Sequence, residues 1–149
     1  VRHGPRPFAA LTLALAAPLL LGAGPAAKVG VTVTGLRSAQ GVVLACLSSA
    51  PDRFPDCREE QGDYRLTIPA AQAGTFDFYG VPPGRYAIAL LHDENGNGKV
   101  DRALRMIPRE GFGFSRDAPV RFGPPRFDTA AFQVSTGPVR QTIQMRYML

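Results

Sequence analysis

The stretch Val81-Pro82-Pro83-Gly84-Arg85-Tyr86-Ala87-Ile88-Ala89-Leu90-Leu91-His92, continued by Asp93-Glu94-Asn95-Gly96-Asn97-Gly98-Lys99-Val100-Asp101, decides the fold. Its prolines fix φ and its glycine closes a turn before Arg85. From there the alternation is strict. Tyr86, Ile88, Leu90 and His92 fall on one face of an extended strand, and Ala87, Ala89 and Leu91 on the other. Large residues fill one side and small ones the opposite side.

The strand runs straight into an oxygen-rich loop. Asp93, Asn95 and Asn97 alternate, Gly98 stands sixth and Asp101 ninth, which is the order in which an EF-hand-type loop offers oxygens to Ca²⁺, with Lys99 contributing its carbonyl. A hard cation takes about six to eight oxygens, and a glycine permits the sharp bend that gathers them. The twelfth position, where a bidentate Glu would close an EF-hand, is Leu104, and no helical pattern precedes the loop. A Ca²⁺ site here would sit on a β scaffold and borrow its last ligand, with Glu110 and Asp128 as candidates. The same residues also suit a metal-free connection, because Asn-Gly twice in succession tolerates the positive φ of tight turns. Both readings stand on the sequence.

Moving outward, Val29, Val31 and Val33 alternate with Gly30, Thr32 and Thr34, a half-buried strand. Val42 to Leu47 is almost continuously apolar, which suits a strand covered on both faces. After the Pro51–Gly62 loop, Tyr64, Leu66 and Ile68 resume the alternation, a short helical turn fits Ala70 to Ala73, and Phe76 and Phe78 mark another strand. Phe132 and Val134, then Val139, Ile143, Met145 and Tyr147, mark the last two. About seven short strands separated by turn chemistry, with no amphipathic helix, predict an all-β fold, an antiparallel β-sandwich of immunoglobulin or transthyretin type, with a small barrel as the competing closure.

The N-terminal segment has a different character. Val1-Arg2-His3-Gly4-Pro5-Arg6-Pro7 is basic, Phe8 to Leu21 is apolar, and Gly22 to Ala27 is rich in small residues, the layout of a signal peptide. The apolar run of about fourteen residues is shorter than the ~20 of a spanning helix. Residues 1–26 are therefore expected to be a cleaved leader and residues 27–149 a single domain of a periplasmic or secreted protein, with no membrane span after cleavage. Loss of Arg2 and Arg6 lowers the formal charge from +5 to +3, too scattered for a nucleic-acid footprint.

Export also bears on the cysteines. Cys46 and Cys57 are the only two, and an oxidising compartment would let them pair, stapling the Pro51–Gly62 loop to the strand that carries Cys46. Such a bridge contributes about 2–3 kcal/mol in the chain-entropy model.

Pro108 to Asp128 is the least regular region. Phe112, Phe114, Phe122 and Phe127 could line a shallow groove with Arg109, Arg116, Arg121 and Arg126 at its rim, or the phenylalanines could cap the open end of the sandwich over solvated arginines.

Four ordered motifs then become recognisable together: Phe78-Tyr79-Gly80-Val81-Pro82-Pro83-Gly84-Arg85-Tyr86-Ala87-Ile88, His92 to Asp101, Ile107-Pro108-Arg109-Glu110-Gly111-Phe112-Gly113-Phe114-Ser115, and Phe122-Gly123-Pro124-Pro125-Arg126-Phe127-Asp128. They resemble the bacterial exported family known as domain of unknown function 2141. The resemblance implies an exported β-sandwich and carries no activity with it. The Pro-Pro-Gly-Arg-Tyr turn is also similar to that of transthyretin-like and carboxypeptidase-regulatory-like modules, which speaks to fold alone.

Three classes of function follow. One is a non-enzymatic envelope module, structural or interacting with an envelope protein, its loop stiffened by Ca²⁺ held at Asp93, Asn95, Asn97, Lys99, Asp101 and Glu110. The second is a glycan- or peptide-binding module using Phe112, Phe114, Arg116 and Phe122. The third is an enzyme with His92 as general base beside Asp93, Glu94 or Asp101. A strand-end histidine that hydrogen-bonds locally is the commoner arrangement, and neither a serine-nucleophile motif nor a histidine pair for zinc is present in the sequence. The first class is the expectation, with no catalytic residue.

Overall fold

The structure is a computed structural model that describes residues 25–57, 62–98, 102–103 and 107–148. The expected leader, Lys99 and Asp101 lie outside the described residues, apart from Pro25 and Ala26. In chain order the strands are β1 (Ala27–Thr34), β2 (Val42–Ser48), β3 (Tyr64–Pro69), β4 (Thr75–Val81), β5 (Gly84–Asp93), β6 (Arg102–Ala103), β7 (Ile107–Pro108), β8 (Gly111–Phe114), β9 (Phe132–Val134) and β10 (Val139–Gln144). A single-turn helix, α1 (Phe127–Ala130), precedes β9, and 3₁₀ turns occupy Ala70–Gln72 and Ser115–Asp117.

Two sheets face each other. One has the order β10-β1-β4, the other β3-β2-β5-β8 with β9 also on β5, and β6 pairs with β7 apart from both. The all-β sandwich is as the sequence predicts, with a departure in strand direction: β1 and β10 run parallel, from Val29↔Val139 to Thr34↔Gln144. A parallel pair needs a crossover rather than a hairpin, and here nearly the whole domain intervenes. Period-2 patterning says which residues face inward and is silent on strand direction.

Val29, Val31, Val43, Leu47, Phe78, Ile88, Leu90 and Ile143, all buried, fill the space between the sheets. Val29, Val31, Phe78, Ile88, Leu90 and Ile143 are inward positions of the alternations read above, whereas Val43 and Leu47 come from the continuous apolar run of β2, whose other face is only half-buried at Leu44 and not covered as expected. Tyr86, Ile88, Leu90 and His92 of β5 point into this core, and β5 is its hub. One edge of β5 pairs with β2 from Val42↔Asp93 to Ser48↔Ala87. The other is shared by β9 at Gly84–Tyr86 and β8 at Ala89–His92. In the gap between those two partners the Ile88 amide donates to Ser115 Oγ at 2.8 Å, and that hydroxyl donates to the Ala130 carbonyl at 2.6 Å. A side chain thus replaces the missing ladder bond.

Strand β8 lies inside the region expected to be irregular. Its sequence, Gly111-Phe112-Gly113-Phe114, is a period-2 pattern with glycine on the inward side. An added Cβ on Gly113 would stand 2.7 Å from Ile143 Cγ2 and 3.0 Å from the Gln144 carbonyl, and one on Gly111 would strike the Tyr147 ring. Glycine is what lets β10 and its continuation cross so close over β8, where Phe112 and Arg146 form a bridge with bonds of 3.0 and 2.8 Å.

The two phenylalanines of β8 therefore point away from the inter-sheet core. Phe114 packs with Cys46, Ala87, Ala89, Ala118, Phe127, Ala130 and Ala131 in a second cluster, beneath the segment from Ser115 to Ala131. The small residues of β5 make room for these rings. Phe54 sits edge-on to Phe114 and Phe127, with centroids 5.9 and 6.0 Å apart. Phe112, Phe114 and Phe127 thus cover an outer sheet face and do not cap the end of the sandwich, and Phe122 stands exposed. Arg116 and Asp117 both adopt left-handed φ, 56° and 52°, at a cost of roughly 1–2 kcal/mol each. The bidentate pair from Arg146 to Asp117, at 2.8 and 2.7 Å, holds that turn against β10.

Candidate functional site: an outer-face cleft beside a pinned loop

At the end of β5 two buried polar residues follow one another. His92 is fully buried; its Nε2 lies 2.9 Å from the Gln40 carbonyl and its Nδ1 2.7 Å from Tyr147 Oη. A carbonyl only accepts, so Nε2 carries the proton and Nδ1 accepts from the Tyr147 hydroxyl. The Arg37 amide donates to the same hydroxyl at 3.2 Å, and the Arg37 guanidinium lies 4.4 Å over the Tyr147 ring. Burial pushes the Tyr147 hydroxyl above its ordinary pKa. The Arg37 guanidinium donates to Glu94, and Ser38 Oγ donates to Glu94 Oε1 at 2.7 Å. These two hydrogen bonds hold the Glu94 carboxyl down to about 2. The hydrogen bonds of the His92 ring thus go to Gln40 and Tyr147, and the network ties the β1–β2 loop, β5 and the C-terminal segment together.

Asp93 is also fully buried. Its Oδ1 accepts from the amides of Gly96 at 2.8 Å and Asn97 at 3.3 Å, and its Oδ2 from that of Gly98 at 2.6 Å. Gly96 and Gly98 adopt φ of 69° and 71°, which brings their amides round to the carboxylate. Asn95 Oδ1 accepts from the Asn97 amide at 3.0 Å. From Asp93 to Gly98 the loop curls back on the Asp93 carboxylate, which serves as its internal anchor. Glu110 is buried, whereas Asp128 is exposed and paired with Arg85 at 2.6 Å. Among the described residues no three His, Cys, Asp or Glu side chains gather as a metal-ligating group.

The larger feature is a cleft of about 780 Å³ on the outer face of the five-stranded sheet, within the range of ~300–1,000 Å³ typical of small-molecule sites. Its floor includes Leu44 of β2, Thr67 of β3, Leu91 of β5 and Phe112 of β8. One wall is Pro55–Cys57, held by the Cys46–Cys57 disulfide, whose Cα atoms are 5.6 Å apart. The other is Val120–Pro124 with Met148. Phe122 is fully exposed there and Met148 is 45% exposed; apart from Tyr79 on β4, these are the exposed large apolar side chains among the described residues. Arg65 and Arg121 also line the cleft, and neither makes an ion pair among the described residues.

Three of the four aromatic and cationic residues expected to bind a ligand meet here: Phe112 and Phe114 on the floor and Phe122 at the mouth. Arg116 does not. Its left-handed turn aims it elsewhere, and its guanidinium donates to the Ala131 carbonyl at 3.3 Å. Sequence reasoning missed Leu44, Leu91, Arg65 and Met148. The available signal was that Leu44 and Leu91 are large apolar residues on the faces of β2 and β5 opposite the core.

By architecture this is an all-β sandwich carrying a third, irregular layer stapled by a disulfide to one outer sheet face. The chain belongs to the bacterial family described as "Uncharacterized protein conserved in bacteria (DUF2141)", matched over residues 31–142. No curated protein and no solved structure matches it.

Proposed function

We propose that the domain is an exported, non-enzymatic binding module whose ligand site is the outer-face cleft. The observation that carries this reading is the convergence of exposed Phe122 and Met148 on one cleft, because a contiguous exposed apolar patch marks an interaction site far more often than scattered apolar residues do. The sealed His92 ring supports a binding role over catalysis, since a general base has to reach its substrate. The disulfide and the leader-like sequence of residues 1–26 support export. N-terminal sequencing of protein from the envelope fraction would then read Ala27-Lys28-Val29.

The binding test uses the absence of tryptophan from the chain. A Phe122→Trp variant carries a single reporter at the mouth of the cleft. Titration with a neutral apolar dye such as Nile red should quench it saturably, and strictly linear quenching would reject the site.

A second reading, Ca²⁺ in the Asp93–Asp101 loop, is supported by the Gly98 amide, which draws the sixth loop position onto the first. Asn95 and Asn97, with Lys99 and Asp101 beyond the described residues, would supply oxygens, and bound Ca²⁺ would stiffen the β5 end. Asp93→Ala breaks the turn with or without metal, so the informative variant is Asp101→Asn. A rise in melting temperature from EDTA to Ca²⁺ that this variant lacks supports the site, and coincident melts reject it.

A further inference from the structure

Resting on the cleft as the binding site, we infer that its ligand is an apolar body with one anionic head, a long-chain carboxylate being the simplest case. The middle of the floor, on β2 and β5, is the face of a sheet, and β3, which brings Arg65 and Thr67, is the outer strand of that sheet. Strand β2 is paired on both sides, by β3 and β5, and β5 is paired by β2 and β8. Between β2 and β5 the floor therefore offers side chains and no unpaired ladder groups. An extended peptide laid on it would leave its own amides without partners. A glycan needs many hydrogen-bonding side chains, and the polar ones here are Asp56, Arg65, Thr67 and Arg121, against Leu44, Leu91, Phe112, Val120, Phe122 and Met148. A chain or ring system without internal polar groups meets that lining with nothing left unsatisfied.

The charge on the walls sets the head group. Among the described residues, Arg65 and Arg121 are two exposed cations against the single carboxylate of Asp56. Five other cations, Lys28, Arg37, Arg53, Arg85 and Arg146, are already matched by carboxylates. Of the arginines without a carboxylate partner among the described residues, Arg65 and Arg121 are the two that line this cleft, and both are available to an incoming anion. A guanidinium also donates two parallel hydrogen bonds to a carboxylate while its stem lies along apolar surface.

The experiment compares dodecanoate, below its micelle threshold, with dodecanol on the Phe122→Trp protein, with and without Arg65→Gln and Arg121→Gln. Both arginines are exposed, so the substitutions leave the fold in place, which circular dichroism checks. The carboxylate is expected to bind roughly tenfold or more tighter than the alcohol, and the double substitution to erase that difference while alcohol binding is kept. Equal affinity for acid and alcohol in the parent, or loss of both in the double variant, would overturn the ligand class and leave the cleft standing. If neither ligand, nor the neutral dye, quenches the reporter, the cleft reading itself fails. Co-sedimentation with anionic phospholipid vesicles, in protein whose reporter ignores free dodecanoate, would instead assign the cations to a membrane surface and overturn the inference.

Discussion

Replacing Gly113 by alanine tests a close approach between the two sheets. The added methyl would stand 2.7 Å from Ile143 Cγ2, 3.0 Å from the Gln144 carbonyl oxygen and 3.2 Å from Met145 Sδ. Ile143 is fully buried and Met145 nearly so, and the carbonyl belongs to backbone, so the neighbours have little room to retreat. Overpacking of this kind costs roughly 1–3 kcal/mol. Against it stands a gain of roughly 0.4–1 kcal/mol from restricting the unfolded chain. The net is a loss of about 1–2 kcal/mol, or a melting point lower by roughly 4–8 °C for a domain of this size. Gly74→Ala is the matched control, because nothing lies within 4 Å of its added Cβ. It should keep the unfolded-state gain alone and melt slightly higher. Urea denaturation of both variants, with m-values compared, reads the difference directly. Equal midpoints for the two would refute the claim that β8 owes its glycines to the passage of β10.

Three further outcomes are expected. Replacing Cys46 and Cys57 together by alanine should lower stability by about 3 kcal/mol in the chain-entropy model, given a sequence separation of 11, and an unchanged urea midpoint would contradict it. The Glu94 carboxyl, held down to about 2 by Arg37 and Ser38, contributes stability that is fully present above the ordinary carboxylate pKa of 4.5 and lost as pH falls from there towards 2. The pair is partly solvated, so the contribution is about 1–2 kcal/mol; Glu94→Gln should flatten the stability profile in that window, and an unaltered profile would remove Glu94 from the account. Tyr147→Phe strips the donor from the buried His92 Nδ1 and should cost about 1–3 kcal/mol, whereas a loss of only a few tenths in chemical denaturation would show that the network does not bind the C-terminal segment.

Much of the fold is legible because a sandwich depends on period-2 alternation. All seven strands read from the sequence are present, since Val29, Val31, Val33, Leu66, Ile68, Phe76, Phe78, Ile88 and Leu90 announce their face locally. The Cys46–Cys57 bridge was legible from the cysteine count and the expectation of an oxidising compartment. What escaped depends on partners distant in sequence. Strand β8 hides because its inward residues are glycines, chosen by the approach of Ile143 and Tyr147, about which residues 111–114 carry no local signal. The parallel pairing of β1 with β10 is equally non-local. The cleft was half legible. Phe112, Phe114 and Phe122 stood out as aromatics in an irregular region, but Leu44 and Leu91 read as ordinary strand residues until the sheet showed that their face is uncovered there. Arg116 looked like a rim cation and proved to belong to a strained turn.

The most direct test of the account is methyl-resolved NMR of the protein titrated with dodecanoate. The cleft reading predicts that the methyls of Leu44, Leu91, Val120 and Met148 shift together and saturate at one ligand concentration, while those of Ile88 and Ile143 in the inter-sheet core hold still. Shifts confined to the core, or spread over the surface without saturation, would contradict it.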